Sequence, residues 1–244
     1  MRLSAVGRLA QRGLSLVELM VGIAVGLIVA AGASMVAVNQ INEHRRLMLE
    51  VQVQQDLRTA ADLLQQDMRR AGFRGLGQYS VWRPASGVGT GAEVPAQAAS
   101  ANPYSAMVRT ADSAAVTLTY TYGRTTNNVN DVLLDNEHFG IMWDKSRKAL
   151  YLKLGLKAGD DNWQPITDPE SVKIIDFDIN YTSEPIAVSD FCDASCTTAG
   201  CPEQKLRRVS FRIRGQATHD ANVIRTLEGV ERVRADALTG ACPT

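Results

Sequence analysis

The first third of the chain is defined by what it lacks. No proline occurs before Pro84, so a helix in this region would not be broken by proline. The first thirteen residues contain three arginines and no Asp or Glu, and between positions 14 and 38 Glu18 is the only ionisable side chain. These absences predict a short basic leader followed by one long apolar helix.

The chain also lacks the short motifs of common enzymes. It contains no G-x-S-x-G, no H-E-x-x-H and no P-loop. The acidic stretch 159–170 offers oxygen ligands without the order of an EF-hand loop, and we interpret it as a solvated turn. The three histidines are isolated, with no second ligand at metal-binding spacing: His44, His138 and His219. We therefore predict a protein that is not an enzyme and uses no metal or cofactor.

The charge balance argues against nucleic acid as a partner. The chain has 26 basic and 26 acidic side chains, and removal of the basic leader would leave a slightly acidic remainder. The run RRVSFRIR is basic, but its alternation with period two places the arginines on one solvated face of a strand. We expect no nucleic-acid partner.

The apolar stretch 14–38 is long enough to cross a membrane. As a helix it spans about 37 Å, more than the roughly 30 Å of a hydrocarbon core and longer than the apolar core of an ordinary secretory signal. Arginines precede this stretch and no cluster of them follows it. We therefore expect a single span in the inner membrane, with the leader in the cytoplasm and the rest in the periplasm.

The pattern changes twice beyond the span. Residues 39–71 predict an amphipathic continuation of the helix up to the break at Gly72, with apolar residues recurring at three or four positions: Val53, Leu57, Ala60, Leu64 and Met68. Residues 72–244 predict a sheet-rich head. Strands are indicated by period-two alternation at 116–122, 150–154, 175–181 and 208–214. Residues 223–238 fit either a last strand or a helix, and we favour a strand near the end. The predicted fold is α+β, with the second half of the helix packed on an antiparallel sheet.

All the cysteines lie in the last quarter of the chain, at Cys192, Cys196, Cys201 and Cys242. Their spacing lacks the paired C-x2-C of a structural zinc site, so we interpret them as disulfide candidates in an oxidising compartment. Cys242 can pair only with one of the other three, and any such bond closes a loop of about 40 to 50 residues, which stabilises by roughly 4 kcal/mol. The spacing leaves the pairing open.

Two stretches resemble known families. Residues 13–20, GLSLVELM, resemble the prepilin signature of type IV pilins and of the pseudopilins of type II secretion, with Leu14 where the first mature residue is usually Phe. Residues 67–75, DMRRAGFRG, resemble the helix end of PilW-like minor pilins, with Leu76 near the place where that family often has a cysteine. The resemblance covers residues 8–75.

This resemblance implies a processing and assembly route. A prepilin peptidase would remove residues 1–13 by cutting between Gly13 and Leu14, and would N-methylate Leu14. Glu18 would then pair with the amino group of Leu14 on a neighbouring subunit. The partners implied are the prepilin peptidase, the inner membrane before assembly, and other minor and major pilins that contact the chain through their long helices.

The resemblance predicts a minor pilin that helps to initiate or cap a type IV pilus on the surface of a Gram-negative cell. A J-like minor pseudopilin of a type II secretion system shares the anchor and the sheet-rich head. A third reading is a periplasmic binding domain that uses the span only as an anchor. That reading predicts an uncleaved leader and no dependence on Glu18.

Overall fold

The structure is a computed structural model that describes residues 15–77, 102–124, 132–192, 194–197 and 200–243, with the single positions 85, 91, 95 and 100. The predicted cleavage site, Gly13 and Leu14, lies outside the described residues. The chain divides into two compact units, with the boundary between Met48 and Leu49, and each unit is described by itself.

The first unit consists of the N-terminal part of helix α1, which runs from Leu16 to Met68. An 18-residue window of this helix has a mean hydropathy of 2.4, and none of it is buried. Large apolar side chains are exposed all around it, for example Leu16, Ile28 and Met35. A helix that is apolar on every face needs lipid or other helices around it, which agrees with a membrane-spanning segment.

The second unit contains a five-stranded antiparallel sheet in which each strand pairs with the next in sequence, in the order β1-β2-β3-β4-β5. A short 3-10 helix, Asp135–Glu137, precedes β3. The strands are β1 Met107–Ala111, β2 Ala115–Thr121, β3 His138–Asp144, β4 Ala149–Lys157 and β5 Asp160–Pro165.

A second antiparallel sheet has three strands in the order β6-β7-β8. They are β6 Val172–Ala187, β7 Glu203–Ala217 and β8 Ile224–Thr239. These strands are long because the chain alternates with period two throughout β7, where Val209, Phe211 and Ile213 are buried and Arg208, Arg212 and Arg214 are exposed.

One hydrophobic core joins the second half of α1 to both sheets. The five residues of the predicted apolar stripe, from Val53 to Met68, are all at most 1% exposed. The sheets cover them with alternate residues of their inner faces, including Leu118, Ile141, Ile179 and Ile213. The contact with β7 is close: a Cβ atom at Gly215 would lie only 3.0 Å from Cδ2 of Leu57. The α+β fold and the packing of the amphipathic helix on the sheet are confirmed.

The structure differs from the prediction in the number of sheets and strands. The four alternating stretches are β2, β4, β6 and β7, and residues 223–238 form most of β8, but the strands form two sheets and not one. The interpretation of 159–170 as a turn is wrong for its first half, which is the edge strand β5. Lys153 of β4 forms an ion pair with Asp161, at 2.5 Å, so an acidic residue that suggested a loop is held in a strand.

The cysteines form two disulfides. Cys192, which follows β6, is bonded to Cys242 after β8, and Cys196 is bonded to Cys201. The first bond closes a loop with a sequence separation of 50, which corresponds to about 4 kcal/mol on the chain-entropy estimate. The end of the chain is thereby tied to the segment that connects β6 to β7.

Candidate functional site

Glu18 lies in the first turn of α1, two residues after the helix begins. Its side chain is exposed and is surrounded by exposed apolar residues such as Leu16, Leu19 and Val21. Among the described residues no hydrogen bond or ion pair engages its carboxylate. A carboxylate is electrostatically favourable in the first turn of a helix, because the free backbone N–H groups there carry partial positive charge. The predicted partner, the amino group of Leu14, lies outside the described residues.

The other end of α1 is fixed to the five-stranded sheet by a turn at Gly72. The backbone N–H of Gly72 donates to the carbonyl of Thr121 at 2.8 Å, and the N–H of Gly123 donates to the carbonyl of Phe73 at 2.8 Å. The φ angle of Gly72 is +76°, in the left-handed region that favours glycine after a helix. The turn therefore pairs with the end of β2 almost as an additional strand would.

Asp67, in the last turn of α1, forms a second contact with the same strand. Its buried carboxylate accepts hydrogen bonds from the hydroxyls of Tyr120 and Tyr122, the latter at 2.9 Å. Burial raises the pKa of Asp67, although the two hydroxyl donors and nearby arginines oppose this effect. Burial and the adjacent carboxylate raise the pKa of Tyr122 to about 12, so at neutral pH this hydroxyl keeps the proton that it donates.

Arg207 of β7 lies beneath the turn and is 2% exposed. Its guanidinium donates to the carbonyl of Ser105 at 3.0 Å and to the carbonyl of Ala235 in β8. Burial lowers the pKa of Arg207, while the hydroxyl of Tyr181 and the carboxylate of Asp236 oppose this change. A Cβ atom at position 72 would overlap the Nη2 atom of Arg207, so a larger side chain there would displace the guanidinium from its hydrogen bonds. We call Asp67, Gly72, Tyr120, Tyr122 and Arg207 the helix-end anchor.

Sequence reasoning found Gly72 as the break after the helix and Asp67 through the resemblance of 67–75, but it did not identify their partners. It also missed Glu137, a fully buried carboxylate next to β3. Glu137 accepts a hydrogen bond from the hydroxyl of Tyr104 at 2.8 Å and others from the backbone N–H groups of Arg124 and Leu134. No spacing in the sequence pointed to this residue, because its donors come from three separate segments.

The described part of the chain contains no group of three His, Cys, Asp or Glu side chains that could hold a metal ion. The three histidines lie far apart in sequence on different elements: His44 on α1, His138 at the start of β3 and His219 in the turn before β8. The contacts of Asp67, Gly72 and Arg207 join the end of α1 to the strands of the head.

An apolar helix with a glutamate in its first turn, whose second half is anchored on an antiparallel head, defines the class of pilin-like proteins. The family described as "Prokaryotic N-terminal methylation motif" matches residues 8–34, and the family described as "Prepilin peptidase-dependent protein B" matches residues 46–233. The second match covers well over half of the chain, so the chain belongs to the prepilin peptidase-dependent protein B family. No curated protein and no solved structure matches it.

Replacement of Gly72 by Ala tests the helix-end anchor. We expect Gly72→Ala to lower the free energy of unfolding by about 1–3 kcal/mol, because the new Cβ is strained at positive φ and collides with Arg207. Urea unfolding of the full chain in detergent, followed by tryptophan fluorescence, measures this change. Gly77→Ala is the matched control, since a Cβ there meets nothing within 4 Å, and it should change stability little. Equal effects of the two substitutions would contradict the anchor.

The raised pKa of Asp67 predicts a pH-dependent stability. The folded state holds this proton more tightly than the unfolded state, so the contribution of Asp67 to the free energy of unfolding falls as pH rises from its ordinary pKa through the raised one. Asp67→Asn cannot ionise, and the stability of the wild type relative to this variant should therefore decline across that window.

Urea unfolding of both full-length chains between pH 4 and pH 8 checks the sign. Asp62→Asn, at an exposed aspartate of the same helix, is the control and should show the pH dependence of the wild type. If the wild type gained stability relative to Asp67→Asn as pH rises, the assignment of a raised pKa would be wrong.

Proposed function

We propose that the chain is a minor pilin, a structural subunit that helps to initiate or cap a type IV pilus. In this proposal the leader 1–13 is removed between Gly13 and Leu14, Leu14 is N-methylated, 14–38 spans the inner membrane, 39–71 continues the helix, and 72–244 forms the head. The observation that carries the proposal is the coincidence, within residues 13–20, of the terminal glycine, the apolar span and Glu18. The match of residues 8–34 to the methylation motif supports it.

Glu18 supplies the assembly chemistry in this proposal. A charge inside a bilayer costs about 2.5–3.5 kcal/mol on insertion scales, and such groups usually have a partner. Cleavage before Leu14 creates a cationic amino terminus at the same depth. Pairing Glu18 of one subunit with the amino group of Leu14 on its neighbour turns two desolvated charges into one neutral pair, which selects the axial register of the helices as they pack.

The proposed orientation places the head in the periplasm. The three arginines of the leader precede the span, and positive charge is retained on the cytoplasmic side. The two disulfides of the head form in an oxidising compartment. Charge and cysteine usage therefore favour the same topology, which is the one that a pilin needs before it leaves the membrane.

The mature amino terminus is the first measurement. Mass spectrometry of the purified chain should find an N-methylated Leu14 as the first residue when the cognate prepilin peptidase is present, and Met1 with the intact leader when that peptidase is deleted. A leader retained in both strains would contradict the proposal and favour the plain membrane-anchored binding domain.

Glu18→Gln should separate processing from assembly. The variant should be cleaved normally, because the glutamine is nearly isosteric, but its amount in sheared pili should fall by about tenfold or more through loss of the charge pair. Immunoblots of sheared pili and of membranes measure both quantities. Glu43→Gln, at an exposed glutamate further along the same helix, is the control and should incorporate normally.

Normal incorporation of Glu18→Gln would overturn the charge-pair mechanism. Assay of type II secretion in the same strains addresses the J-like pseudopilin. If the Glu18→Gln strain lost secretion and kept its pili, the subunit would belong to the secretion system.

A further inference from the structure

A cavity of about 840 Å³ lies in the head beside the helix-end anchor. Its described lining comes from the end of α1 and the turn after it, from the segment after β2, and from β8. Four of these lining residues are arginines: Arg69, Arg70, Arg124 and Arg234. The described lining includes no acidic residue, and Phe73, Tyr122 and Ala235 give it an apolar side. The cavity therefore combines converging guanidinium groups with aromatic walls.

Contacts within the protein explain the positions of only some of these four arginines. Arg69 and Arg70 follow the C-terminus of α1, where cations are favourable, and Arg69 also binds Glu231 through Nε at 2.9 Å. Arg124 reaches the cavity from the segment after β2 and lies 5.3 Å from the centroid of the Phe139 ring, and Arg234 reaches it from β8. Within the described ranges Arg69 is the one of the four with an ion pair closer than 4.0 Å, while Arg70 and Arg124 lie near enough to the buried Asp67 carboxylate to oppose the rise of its pKa.

Like charges brought together in a partly enclosed space repel one another and create a positive potential. Guanidinium groups are the donors best suited to bidentate contact with a carboxylate or a phosphate. The cavity therefore has the chemistry of a site for an anion, either a carboxylate or a phosphate.

The cavity adjoins a sheet edge. β8 pairs with β7 on one side and is the last strand of the three-stranded sheet. Arg234 and Ala235 belong both to this edge strand and to the wall of the cavity, at a break in the register with β7 where the carbonyl of Ala235 already accepts a hydrogen bond from Arg207. An added strand would therefore pair with β8 on either side of this break. An edge strand offers backbone donors and acceptors to an added strand, which a free phosphate or a lipid headgroup cannot use.

We propose that the arginine cavity and the adjoining edge of β8 form a docking site for an acidic, extended segment of a partner protein. An Asp or Glu side chain of that segment enters the cavity between Arg124 and Arg234, while its backbone pairs with β8 and an apolar neighbour contacts Phe73. The proposed contacts are made by Phe73, Arg124, Arg234 and the edge of β8, all in the head, so they stand apart from the long-helix contacts of the proposed function.

Site-directed photo-crosslinking of the full chain in its native cells tests the proposal. Benzoylphenylalanine is incorporated at position 73, where the native Phe is 43% exposed in the cavity wall, and adducts are identified by mass spectrometry. The same probe at position 191, an 85% exposed Phe outside the described lining, is the control. We expect a protein adduct at position 73 that maps to a segment rich in Asp or Glu and is absent at position 191.

Charge variants show whether the arginines hold that segment. Arg124→Gln combined with Arg234→Gln should reduce the adduct by about tenfold, whereas Arg234→Lys alone, which keeps the charge, should retain most of it. Arg208→Gln combined with Arg214→Gln removes two exposed arginines of β7 and should leave the yield unchanged. Urea unfolding of each variant confirms a folded head, and Arg234→Gln alone replaces the double variant if that variant unfolds.

The proposal is overturned by an adduct to phospholipid, by a partner segment without acidic residues, by a yield that ignores the arginines, or by the absence of any adduct. These outcomes are independent of the cleavage at Gly13 and of the Glu18 variants. Failure of the docking site would therefore leave the filament proposal standing, and the reverse also holds.

Discussion

The head depends on one constraint, the need to cover the apolar stripe of α1 between Val53 and Met68. Leu57, Leu64 and Met68 are each at most 1% exposed, and burial of such side chains contributes about 1.5–3 kcal/mol apiece. Neither sheet covers the stripe alone, since the core contains inner-face residues of β2 and β3 from one sheet and of β6 and β7 from the other. The helix is thus the shared hydrophobic surface through which two small sheets become one domain.

Because the end of that helix is buried, its polar groups need hydrogen-bond partners, and the helix-end anchor supplies them. The carbonyls and the carboxylate near the C-terminus of α1 are removed from water, and each unsatisfied group there would cost free energy. Tyr120 and Tyr122 satisfy Asp67, the side-chain amide of Asn102 donates to the carbonyl of Gly72 at 2.8 Å, and the backbone of the turn pairs with β2. Arg207 then fills the space that the missing side chain of Gly72 leaves.

The sequence predicted the features that depend on periodicity and missed those that depend on long-range geometry. The stripe of α1 and the alternation of β2, β4, β6 and β7 are local, and they are confirmed. β3 was missed because its apolar residues are not confined to one face: Met142 lies opposite Phe139 and Ile141, on the same face as the buried Gly140. A Cβ there would lie 3.1 Å from Cη2 of Trp163, a residue of β5. The pairing of Cys192 with Cys242 likewise depends on the ends of β6 and β8 meeting, which spacing does not encode.

The stretch 67–75 at the end of α1 is another case in which local sequence does not reveal contacts with distant residues. Resemblance picked out the residues from Asp67 to Gly75, but their physical role depends on partners 26 or more residues away in sequence. The alternation at 116–122 places Tyr120 and Tyr122 on the same face of a strand, but nothing in it indicates that their two hydroxyls meet one carboxylate. A motif can therefore mark the place of a constraint, while the contact that imposes it becomes visible only in three dimensions.

Two carboxylates on the same helix differ in where they find their donors. Asp67 is buried and accepts hydrogen bonds from Tyr120 and Tyr122, so the cost of burying its carboxylate is met when the chain folds. Glu18 is exposed among apolar side chains, and none of the described residues engages it. In a bilayer a carboxylate that has no partner is destabilising until one is supplied. The same physics that makes Asp67 part of the fold is the reason why the proposed assembly mechanism gives Glu18 a partner on a neighbouring subunit.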